Sequence, residues 1–132
     1  MAYFDIQTRA DRVNRRSFAV STGTYYTGRW CSVDGNGYAA APVAGGRNNY
    51  IIILGNEVRP DSIGAKSISV AYGQNLFQLN TLGMNDTITA GNGLAVDSSG
   101  DLVVTTTAGA IVAFAESSAN LGVAGLKIRT LV

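Results

Sequence analysis

Five consecutive apolar residues, Tyr50-Ile51-Ile52-Ile53-Leu54, stand out from a chain that elsewhere mixes apolar and polar positions. A short run of this kind predicts a strand buried on both faces. Residues 66–72 alternate instead, with Ile68 and Val70 pointing one way and Ser67, Ser69 and Ala71 the other. Gly73 interrupts, and Leu76, Phe77 and Leu79 resume an apolar segment. Near the C-terminal end Leu126, Ile128 and Thr130 alternate with Lys127, Arg129 and Leu131. Residues 24–33, 38–43, 87–96, 102–106 and 110–115 supply further strand candidates. Between them stand turn residues: Asp34-Gly35-Asn36-Gly37, Gly45-Gly46-Arg47-Asn48-Asn49 and Asp97-Ser98-Ser99-Gly100. Asp-Gly and Asn-Gly are strong hairpin signals because both tolerate positive φ. About eight short strands separated by such turns predict an all-β protein, a small barrel or sandwich.

Residues 1–20 break this pattern. They contain no glycine, whereas residues 21–132 hold all 16. Four arginines against Asp5 and Asp11 give the segment a net charge of +2, and six basic against seven acidic groups leave the remainder at −1. Ile6, Ala10 and Val13 have helix-compatible spacing, but a helix this short is marginal in water, and an extended arm fits equally well. The predicted organisation is an N-terminal arm, residues 1–20, and a β-rich core domain, residues 21–132. Arginine and aromatic residues together are the types enriched at protein interfaces. The candidate partner-binding residues are therefore Tyr3, Phe4, Ile6, Arg9, Arg12, Val13, Arg15, Arg16 and Phe18.

Composition narrows the function. Only 14% of residues are charged, against about 25% in ordinary globular domains, which suits a chain that assembles with others. A net charge of +1 argues against direct nucleic-acid binding, which calls for a basic excess. No apolar run approaches the roughly 20 residues of a membrane helix. The first residues lack a secretory layout, so synthesis in a cytoplasm is expected. The chain has no histidine, which removes Ser-His, Cys-His and metal-imidazole chemistry. Cys31 is the single cysteine, expected as a small buried hydrophobe. Asp97 and Asp101 flank a turn, where aspartate normally sits. Asp34 and Asn36 begin like a calcium loop, but the twelfth position is Gly45 rather than an acid. Gly91-Asn92-Gly93 lacks the third glycine of a dinucleotide fingerprint. No catalytic residue, cofactor or metal is expected.

Three stretches carry a resemblance. They are Arg29-Trp30-Cys31-Ser32-Val33 followed by a turn and Tyr38 through Pro42; Tyr50 through Ser62 leading into Lys66-Ser67-Ile68-Ser69-Val70-Ala71-Tyr72-Gly73; and Ile88 through Asp97 followed by Gly100-Asp101-Leu102. In layout, residues 29–132 resemble the cement, or head decoration, proteins of tailed bacteriophages. The resemblance implies an all-β domain on the outer face of a virion head. Its partners would be the major capsid protein and neighbouring copies of itself, with a trimer as one common arrangement in such proteins. The arm lies outside the resembling region, and its role rests on its own chemistry. The alternative is a carbohydrate- or receptor-binding module of a head fibre or tail, with Tyr25, Tyr26 and Trp30 as its sugar platform.

Removing residues 1–20 is expected, on sequence grounds, to spare the fold and weaken attachment. Within the arm, apolar anchors are about as many as arginines. Phe4→Ala is therefore expected to weaken attachment to undecorated heads more than Arg9→Ala, with a shallow salt dependence. Titration of both variants at low and roughly tenfold higher salt checks this.

Overall fold

The computed structural model describes residues 7–8, 14–56, 66–79, 87–120 and 125–131. The chain is all-β. Its strands are β1 (Gln7–Thr8), β2 (Arg15–Ala19), β3 (Trp30–Val33), β4 (Ala39–Ala40), β5 (Tyr50–Leu54), β6 (Ser67–Ala71), β7 (Leu76–Leu79), β8 (Gly93–Val96), β9 (Leu102–Val104), β10 (Ala113–Ala115) and β11 (Leu126–Thr130). A 3-10 turn, Ala108–Ala110, precedes β10. The strands form two sheets, in the orders β1-β7-β11-β10-β8-β9 and β2-β6-β5-β3-β4. All strand pairs within them are antiparallel.

The apolar run forms the centre of the five-stranded sheet. Successive side chains of a strand point to opposite faces, and here both faces are buried. Ile51 joins Trp30 and Ala71 in the core shared with the six-stranded sheet. Ile52 joins Phe18, Cys31, Ile68 and Val70 in a second core on the other face. The register of β5 against β6 slips between Ile52↔Val70 and Leu54↔Ser69, so Ile53 is an extra residue. A bulge of this kind bends its strand and increases twist. The sheet curls around the second core, and a parallel bridge between Ala19 and Tyr38 joins its first strand to its last.

Two turns share one chemistry. In Asp34–Tyr38 and in Asp97–Asp101, the first N–H donates to the fifth carbonyl at 2.8 Å, and the fourth N–H donates back to the first carbonyl. The aspartate carboxylate accepts from the third and fifth N–H groups. The fourth residue is glycine with φ +84° in both, Gly37 and Gly100. This is the hairpin loop in which a type I turn is closed by a left-handed residue. Both aspartates expected as turn formers are turn formers. Gly100 has a second duty, since its carbonyl ties the β8–β9 turn to β3 by accepting from the Trp30 N–H at 3.0 Å. A Cβ there would stand 2.7 Å from the Trp30 carbonyl oxygen.

Every predicted strand region after residue 29 contains a strand, though mostly a shorter one. Tyr50–Leu54 keeps its predicted bounds, and of the alternating residues of β11 it is Leu126, Ile128 and Thr130 that are buried. The arm boundary at residue 20 needs correction. Arg15–Ala19 pairs along its whole length with β6, from Arg15↔Ala71 to Ala19↔Ser67. Phe18 and Val20 are buried in the second core. The reason is an edge strand whose inner face carries a single large anchor, so its own pattern is weak. Residues 9–13 lie outside the described residues, and nothing helical occurs among residues 14–20.

Deleting residues 1–20 is therefore expected to unfold the domain, in place of the intact fold anticipated from sequence. Phe18→Ala is expected to cost about 3–5 kcal/mol. Ile52→Asp places a carboxylate in a closed apolar core and is expected to abolish folding. Urea unfolding followed by circular dichroism checks all three, and a cooperative wild-type-like transition in any of them would contradict the core assignment.

Candidate functional site

The inner face of the curled sheet runs out of apolar residues at one end. Stepping two residues along each strand leads from Phe18 to Arg16 on β2, from Ile52 to Tyr50 on β5, and from Val70 to Tyr72 just past β6. Period-2 geometry puts all three replacements on the face of the core they extend. They form the floor of a surface cleft of about 450 Å³, completed by Arg47, Asn48 and Gly73. The Phe18 and Tyr50 rings meet edge to face with centroids 5.3 Å apart, so the cleft floor is continuous with the core. The Arg16 guanidinium lies 4.9 Å from the centroid of the Tyr72 ring.

Two buried asparagines hold the cleft walls. Asn49 is fully buried. Its amide N–H groups donate to the carbonyls of Val43 and Gly46, and its Oδ1 accepts from the Val43 N–H. These bonds fold the loop that carries Arg47 and Asn48. Asn75 donates through Nδ2 to the carbonyl of Tyr72 at 2.9 Å, and its backbone N–H donates to Thr130 Oγ1 at 3.0 Å. The Thr130 hydroxyl donates to the Gly73 carbonyl at 2.7 Å. The turn bearing Tyr72 and Gly73 is thereby tied to β11 of the other sheet. The Tyr72 N–H donates to the Asn14 carbonyl, which joins the N-terminal segment to the same wall.

Of the three predicted partner-binding residues that are described, Arg15, Arg16 and Phe18, Arg16 is placed in this cleft. Arg15 is exposed on the opposite face of β2. Phe18 is corrected to a core residue, 4% exposed and unavailable to a partner. Tyr3, Phe4, Ile6, Arg9, Arg12 and Val13 lie outside the described residues. Sequence reasoning missed Arg47, Tyr50 and Tyr72 as neighbours of Arg16. The one available signal was the Gly-Gly-Arg-Asn-Asn loop immediately ahead of the central strand.

Tyr25, Tyr26 and Trp30 line a second pocket of about 260 Å³. Trp30 is 2% exposed and belongs to the core, so it offers no open ring face of the kind a sugar platform requires. The Tyr25 hydroxyl donates to the Ala39 carbonyl at 3.0 Å. Arg29 stands over the Tyr26 ring at 5.5 Å and pairs through Nε with Asp101 Oδ1 at 3.5 Å. Burial pushes the Asp101 carboxyl up, with Arg29 opposing and Asp97 adding to the rise.

Comparison with protein-family models, curated proteins and solved structures finds no match to this chain. The chemistry must come from its own residues. Among the described residues no three His, Cys, Asp or Glu side chains converge as a metal site, and no helix is long and apolar enough to cross a membrane. The Asp97 carboxylate is engaged with turn N–H groups. Cys31 is fully buried, and burial pushes its thiol from 9.0 up to about 12.

The native Cys31 thiol thus keeps its proton where the unfolded one has lost it. The folded state binds more protons in that window, so stability declines as pH rises from about 9 toward 12. Cys31→Ala is expected to flatten this decline while lowering stability at neutral pH through the cavity it leaves. Denaturant titrations at a series of pH values between neutral and strongly alkaline check the slope.

Proposed function

We propose that this chain is a structural virion protein, a cement protein that binds the outer face of a major capsid protein lattice and stabilises the head. The observation that carries the reading is the placement of Arg16. One of the residues expected to meet a partner is held over an aromatic ring at the start of β2, where the Tyr72 N–H donates to the Asn14 carbonyl. Arginine and tyrosine are the residue types that anchor protein interfaces.

The body suits the task. β5 is packed on both faces, and the cleft walls are cross-linked to both sheets, so the binding face is preorganised and little is lost in ordering it. Val43 on the Arg47 loop is 55% exposed and Tyr38 is 39% exposed, which adds apolar contact area worth roughly 25 cal/mol per Å² buried. Repeated weak contacts over a lattice then sum to firm attachment.

The test is co-sedimentation with undecorated heads assembled from the major capsid protein of the same genome. The chain is expected to bind in stoichiometric ratio to the lattice and to raise the temperature at which heads disrupt. A chain that stays in the supernatant while binding on a glycan array would replace this reading with the carbohydrate-binding one.

A further inference from the structure

We propose that the cleft between Arg16 and Arg47 is a carboxylate-binding site, and that its occupant is an acidic side-chain pair on a loop of the partner protein. The inference rests on the docking role proposed above and names the chemistry by which that docking is read.

Arg29 and Arg129, like Arg16, stand over aromatic rings, and each of those two has a carboxylate beside it. Arg29 faces Asp101 at 3.5 Å, and Arg129 Nε donates to Glu116 Oε1 at 2.9 Å. Arg16 and Arg47 share one cleft, and its described lining contains no acidic residue. Two positive charges lining one cleft with no counter-charge among its described residues repel, and an anion placed between them relieves that repulsion. The whole chain is close to neutral, at +1, so this pairing is a local arrangement and no consequence of a basic composition.

The geometry selects among anions. The Arg16 guanidinium lies over the Tyr72 ring, and a guanidinium carries its N–H donors in its own plane, the fork that meets a carboxylate with two parallel hydrogen bonds. The guanidinium over Tyr72 occupies a ring face that a sugar ring would need. Asn48 adds an amide at the cleft wall, and the phenol rings of Tyr50 and Tyr72 offer an apolar floor to the methylene groups of a glutamate. Because Asn49 and Asn75 fix both walls through buried hydrogen bonds, the arginines are presented without a large ordering cost.

The experiment uses the full chain and two peptides, acetyl-GSEEGS-amide and its glutamine counterpart acetyl-GSQQGS-amide, followed by chemical shifts of the arginine side-chain N–H groups. The glutamate peptide is expected to shift Arg16 and Arg47 and to bind at least tenfold more tightly than the glutamine peptide. The double variant Arg16→Gln, Arg47→Gln is expected to abolish that difference. Both side chains are exposed, so its melting temperature should remain near that of the parent. On undecorated heads the same variant is expected to bind at least tenfold more weakly than the parent and to lose most of whatever salt sensitivity attachment has. Equal binding of the two peptides, or unchanged head binding by the double variant, overturns the site while leaving the cement role standing. Tighter binding of a uronic-acid disaccharide than of the glutamate peptide also overturns it, in favour of an acidic glycan. Failure of the parent chain to bind heads, with the peptide preference intact, overturns the cement role instead.

Discussion

The structure depends on one strand that is buried on both faces. β5 contributes Ile51 to the core between the sheets and Ile52 to the core inside the curled sheet. Adjacent residues therefore serve separate hydrophobic clusters, and neither cluster can form without the other. The extra residue at Ile53 bends the sheet around the second core. The curl in turn brings β2 and β4 together at the Ala19–Tyr38 bridge.

The candidate site is a consequence of that curl. A strongly bent sheet has an open end, and the inner-face residues there must satisfy both the core and water. Arginine and tyrosine do so, with an apolar body against the core and a polar tip outside. Arg16, Tyr50 and Tyr72 occupy those positions. Their neighbours are held by polar groups that are buried yet satisfied: Asn49, Asn75 and Thr130 make hydrogen bonds to loop backbone groups that would otherwise be stranded. Loss of any one leaves a buried donor or acceptor unpaired, at a cost of about 1–3 kcal/mol.

The second structural dependence is the close approach of the two hairpin ends. Gly100 touches the backbone of Trp30, and the Gly45 N–H donates to the Val96 carbonyl at 2.9 Å. These contacts tie the β8–β9 hairpin of one sheet to β3 and the β4–β5 loop of the other. The loop that carries Arg47 is therefore anchored on both sides, by Asn49 within its own sheet and by Val96 across the interface.

Most of the strands were legible in the sequence because strand alternation and turn chemistry are local. A side chain's face follows from period 2, and Asp-x-x-Gly closes a hairpin with bonds made among five consecutive residues. The same locality made Tyr50–Leu54 recognisable as doubly buried. The membership of β2 was not legible, since an edge strand reading Arg-Arg-Ser-Phe-Ala declares its place only through β6, some fifty residues later. Nor was the site. Arg16 and Arg47 are 31 positions apart in the sequence, and what unites them is the curl of a sheet and two buried asparagines whose roles depend on backbone groups brought to them by folding. Sequence determined which segments would be strands and which way they would face. Tertiary structure decided which strands adjoin, and so which charged side chains come to line one cleft, because pairing between distant segments is set by the cores they bury in common.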